Sequence, residues 1–100
     1  MKYKFDEKKQ VYNSIIVFAM MFLYPKDAKY SLRVETYDLQ KLPYETIQVN
    51  ALNDLKMVIP KLKLITKNKE VIKSVEAFIK YKNEEKFNYL VDCFRKDLYK

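Results

Sequence analysis

No glycine, histidine or tryptophan occurs among the 100 residues, and Cys93 is the single cysteine. Each absence removes a class of chemistry. Phosphate-cradling loops, dinucleotide fingerprints, nucleophile elbows and calcium loops all need backbone positions that only glycine tolerates. A structural zinc site draws four ligands mainly from Cys and His, which this chain cannot supply, and one thiol cannot close a disulfide within the chain. Arginine is scarce as well. Eighteen of the twenty basic residues are Lys and only Arg33 and Arg95 are Arg. Bidentate reading of guanine or phosphate prefers Arg, so sequence-specific DNA recognition is disfavoured.

What is present is a globular balance, 49% hydrophobic and 33% charged. This length supports one hydrophobic core but not two, so residues 1–100 are expected to form one compact domain. The net charge is +7. A basic excess of that size points to a polyanion, either nucleic acid or an anionic membrane surface. Codon bias offers a competing explanation. Phe, Tyr, Met, Ile, Asn and Lys make up 50 residues, against 9 for Gly, Ala, Arg and Pro, the skew of an AT-rich genome. The charge is nevertheless polarised: residues 56–82 carry +6, while residues 31–55 carry −2 and residues 83–100 are neutral.

Along the chain, Asp6 is placed to cap a first helix that runs through VYNSIIVFAMMFLY (Val11–Tyr24) and stops at Pro25. From Ile15 to Tyr24 it is apolar all round, which suits either a central helix or a homodimer contact through residues 15–24. Ten apolar residues are too few to span a bilayer. They fit a secretory signal poorly, because Asp6 and Glu7 interrupt the basic region and no small residue precedes Ala28 at the cleavage spacing. Alternation in YSLRVETY (Tyr30–Tyr37) and YETIQV (Tyr44–Val49) predicts two antiparallel strands joined through residues 38–43. Asn50 would then cap a short helix over Ala51–Ile59, ended by Pro60. KLKLITK (Lys61–Lys67) alternates too, favouring a third strand over a helical continuation. Asn68 and Asn83 cap two further helices. Val71, Ile72, Val75, Phe78 and Ile79 make the apolar face of one, and Phe87, Leu90, Val91, Phe94 and Leu98 that of the other. The pair forms a C-terminal helical hairpin. The expected class is therefore α+β, a small antiparallel sheet of two or three strands packed against about four helices, with an all-α bundle as the alternative.

Few residues offer chemistry. Cys93 lies towards the polar side of the last helix and is expected to be partly exposed, but no histidine exists to activate it. Glu84 and Glu85 sit in a first turn, where negative charge serves the helix dipole. No convergent constellation marks an enzyme, and no cofactor or metal is expected. The basic residues say more. Lys69, Lys73 and Lys80 line the outer face of the helix after Asn68, with Glu76 among them, and Lys61, Lys63 and Lys67 arrive just before. Folded together, these six would offer one patch for phosphates. Nine tyrosines supply a second cue, because Tyr joins a large contact area to a hydrogen-bonding tip. Tyr89 falls on the polar face of the last helix, while Tyr30, Tyr37 and Tyr44 fall on or beside the expected strands.

The first expectation for function is a non-catalytic, cytoplasmic binding protein. It would be a small accessory factor or inhibitor of a virus, phage or mobile element, acting through a protein partner. A second reading is a nucleic-acid-binding module that holds phosphates through the lysine-rich face without reading sequence. A third is a bacteriocin-immunity-like helical protein at the inner face of a membrane, suggested by size, lysine content and the final hairpin.

Overall fold

The computed structural model describes residues 2–27 and 43–99, with side chains from Asp6 onward. Its principal elements are four helices: α1 (Lys2–Leu23), α2 (Tyr44–Ile65), α3 (Lys69–Tyr81) and α4 (Glu84–Leu98). No strand occurs among the described residues, so the fold is all-α and the expected α+β class is corrected.

The correction centres on α2. Tyr44–Val49, expected as a strand, forms its first two turns, with Pro43 in an extended conformation at the N-cap. Asn50 lies inside this helix rather than capping a later one, and Pro60 lies inside it too. Packing explains why neither residue ends it. Ile47, Ala51, Leu55 and Leu62 are fully buried along one side, so an apolar stripe brackets the proline and carries the helix on past it. Lys61–Ile65 is the last turn of α2, not a strand. Leu62 is wholly buried and Leu64 is 86% exposed, whereas a strand would have put both on one face. The Tyr30–Tyr37 strand lies outside the described residues.

Pro60 still carries a local cost, because it has no N–H to donate to the Lys56 carbonyl one turn back. Pro60→Ala is expected to raise stability by about 2 kcal/mol, roughly 10 °C in the thermal midpoint. Urea and thermal denaturation followed by circular dichroism measure it.

The other helices keep closer to expectation. α1 begins at Lys2, one turn ahead of Asp6, so Asp6 is an interior residue and not the cap. It ends at Leu23, where the Tyr24 N–H closes the last turn on the Met20 carbonyl at 2.7 Å, and Pro25 opens a further helical stretch. The Asn68 side chain accepts from the N–H groups of Glu70 and Val71, and that of Asn83 from Lys86, as capping predicts. Between them, Lys82 turns the chain in the left-handed conformation (φ 53°), a place usually given to glycine, which this chain lacks.

α2 and α4 each pack against both α1 and α3, which sets α2 and α4 on a diagonal of the bundle. α1 and α2 run antiparallel. Gln48 Nε2 donates to the Phe22 carbonyl at one end (2.9 Å), and Lys61 sits beside Glu7 and Gln10 at the other. Phe78 stands at the junction of three helices, its ring edge-on to Phe22 of α1 (centroids 6.4 Å apart) and Phe87 of α4 (6.2 Å).

Candidate functional site

All six lysines singled out by sequence, Lys61, Lys63, Lys67, Lys69, Lys73 and Lys80, are exposed, but they do not form one patch. On a helix, residues two apart stand about 160° from one another, so Lys61 and Lys63 leave α2 on opposite sides. Lys61 lines an open cleft against α1, with Glu7, Gln10, Val11, Ser14, Phe18 and Val58. Lys67 lines an adjoining one with Glu7, Leu64 and Ile65. Lys69, Lys73 and Lys80 share a stripe of α3, interrupted by Glu76. The six lysines expected on one patch are thus divided, three along α3, Lys61 and Lys67 beside Glu7, and Lys63 on the far side of α2.

Of the four tyrosines, Tyr89 is 46% exposed and Tyr44 is 42% exposed, while Tyr30 and Tyr37 lie outside the described residues. Tyr44 stands at the first turn of α2 rather than on a strand, on a different helix from Tyr89. Tyr89 occupies the outer face of α4. Beyond it along the helix, Asp92 pairs with Lys96 (3.1 Å) and with Arg95 (3.6 Å), so paired charges border the ring on its C-terminal side. One turn on, the Cys93 sulfur, as acceptor for the Tyr89 hydroxyl and as a neighbouring negative charge when ionised, pushes the Tyr89 pKa up. Cys93 itself is buried, against the expectation of partial exposure. The apolar stripe of α4 proves wide enough to draw a small flanking side chain under Phe94 and Leu90.

The apolar stretch of α1 is partly covered within the chain. Ile15 and Ala19 are buried, and every other residue from 16 to 24 is half-buried. No helix among the described residues is long and apolar enough to cross a membrane. Nor do three or more His, Cys, Asp or Glu side chains come together there to hold a metal ion.

One polar cluster went unforeseen. Asp97, near the end of α4, has a side chain only 3% exposed, and three segments converge on it. Tyr12 donates its hydroxyl to Oδ2 at 2.7 Å, Asn68 donates Nδ2 to Oδ1 at 3.0 Å, and Lys8 Nζ approaches Oδ2 at 3.4 Å. Burial alone would push the carboxyl up. The bonds from Tyr12 and Asn68, with the Lys8 ammonium, outweigh burial and hold it below the usual carboxylate value. Tyr12 is raised, by burial above all. Its ring stacks on Phe94 at 4.2 Å and 11°. Asn68 does double duty, since its Oδ1 caps α3 while its Nδ2 holds Asp97. Thr66 Oγ1 in turn accepts from the Asn68 N–H at 3.1 Å. A carboxylate with every oxygen engaged is a fastener between α1, α4 and the α2–α3 connection, and it offers no base to a substrate.

No known protein family, curated protein or solved structure matches this chain.

Proposed function

We propose that this chain is a non-catalytic binding protein, a small accessory or inhibitory factor that works in the cytoplasm by covering a surface of a protein partner. The observation that carries this reading is the placement of Tyr89. A half-exposed ring in the middle of an outer helical face, bordered on its C-terminal side by the paired charges of Asp92, Arg95 and Lys96, has the make-up of a binding hot spot with a polar rim. The most enclosed carboxylate and the thiol are both committed to internal contacts, which supports occupancy rather than turnover as the mode of action.

The test is affinity capture of tagged chain from the cells that express it, with and without nuclease treatment. Recovery of a defined partner should survive nuclease and fall about tenfold for Tyr89→Ala, the loss expected of an interface anchor. A partner lost on nuclease treatment would instead give the surface to nucleic acid.

A further inference from the structure

The outer face of α2 carries large exposed apolar side chains, concentrated in its C-terminal half, where a surface helix is normally polar. Met57 is 79% exposed, Leu64 86% and Val49 57%, and all three fall with Pro60 on the side opposite the buried stripe of Ile47, Ala51, Leu55 and Leu62. Exposed Asn53 and Lys56 part Val49 from the rest, and Met57, Pro60 and Leu64 form an uninterrupted ridge about 10 Å long. Lysines flank it on both sides, Lys61 towards α1 and Lys56 and Lys63 on the opposite flank, with Lys67 just past the helix end. None of these four forms an ion pair among the described residues. The acids nearby are Asp54 on α2 and Asp6 and Glu7 across the α1 cleft, all on the Lys61 side. Glu45 stands at the far end of α2, and the Lys56–Lys63 flank faces no acid of its own helix nearby.

We propose that α2 seats this ridge on an anionic membrane surface, with Met57 and Leu64 entering the headgroup boundary and the lysines meeting the lipid charge. The chemistry favours lipid over protein. The ridge is convex and carries no Trp, Tyr or Arg anchor, and lysine is depleted from protein interfaces, whereas an apolar stripe edged by lysines is the make-up of helices that lie on bilayers. Charge also disfavours an antiparallel second copy of the chain as occupant. Two such ridges seated antiparallel would oppose Lys56, Lys61 and Lys63 to themselves. α2 would lie on the surface and not cross it. The outer face of α4, diagonal to α2, remains open to a protein while the ridge is seated. The two proposals are independent.

Flotation of the full chain with vesicles tests this. The chain should float with phosphatidylserine-containing vesicles and not with phosphatidylcholine alone, and raised salt should release it. Met57→Asp with Leu64→Asp should cut partitioning by about tenfold or more, and Lys56→Gln with Lys63→Gln by about fivefold for each lysine changed. All four positions are exposed, so unchanged helical circular dichroism verifies that the variants fold. Tyr89→Ala should float as well as the parent chain, which separates this surface from the protein-binding one. The proposal is overturned by absence of flotation at low salt, by equal binding to neutral vesicles, or by binding that the paired Asp substitutions leave intact. Failure to float, with the same Asp substitutions abolishing capture of a protein, would assign the ridge to an acidic protein helix.

Discussion

Phe78→Ala should cost about 4 kcal/mol, close to half the stability of a domain of this size. Phe78 is wholly buried and its ring meets Phe22 and Phe87 from two other helices, so truncation removes both apolar burial and two edge-on aromatic contacts. The void cannot be closed locally, because its walls belong to three helices that would have to move together. Thermal unfolding should shift down by roughly 20 °C, and urea unfolding should reach its midpoint earlier with little change in slope. Met57→Ala, at a side chain 79% exposed, is the control and should change stability by no more than about 0.5 kcal/mol. A small effect at Phe78 would mean that the hairpin of α3 and α4 does not depend on α1 for its core.

The half of the chain built on that phenylalanine is the half most legible in sequence. α3 and α4 follow from apolar residues at helical spacing and from Asn68 and Asn83 ahead of them, two local signals that agree. α2 was illegible because two local signals agree on the wrong answer. Six alternating residues from Tyr44 to Val49 satisfy strand spacing as well as helical spacing, and Asn50 and Pro60 look like a start and a stop. What decides the matter is the longer series Ile47, Ala51, Leu55 and Leu62, which keeps step across both marks and becomes decisive only once α1 and α3 are there to bury it. The surface changes with that element. As a strand, Lys61–Lys67 would have aligned its lysines; as a helix it parts Lys61 from Lys63 and turns Leu64 outward, which dissolves the phosphate patch and creates the apolar ridge. The Tyr89 surface was legible, since its position on α4 rests on the secure periodicity of that helix. The Asp97 cluster had one visible sign. Asp97 lies three residues after Phe94 and seven after Leu90, on the buried stripe where an apolar residue is expected. Its partners, Lys8, Tyr12 and Asn68, are far away in sequence and no local pattern connects them.

That misplaced acid leads to the second large effect, expected to be about 3 kcal/mol for Asp97→Ala. The substitution leaves the Tyr12 hydroxyl and the Asn68 amide without their acceptor inside the bundle, and frees the Lys8 ammonium from its counter-charge. Tyr12→Phe keeps the ring on Phe94 and should cost only about 1 kcal/mol. The pH dependence has a definite sign. The folded carboxyl titrates below its ordinary value, so its contribution is fully present above the unfolded pKa of about 4 and is lost as pH falls through the lower, folded pKa. Stability of the parent chain should therefore decline on acidification below about pH 4, and Asp97→Asn should flatten that decline while starting from a lower plateau at neutral pH. Urea denaturation across this range compares the two. If the curves stay parallel down to acid, Asp97 does not supply the acid sensitivity, and the joint between α1 and α4 is held by the stacking of Tyr12 on Phe94 and the apolar contacts around it rather than by the carboxylate.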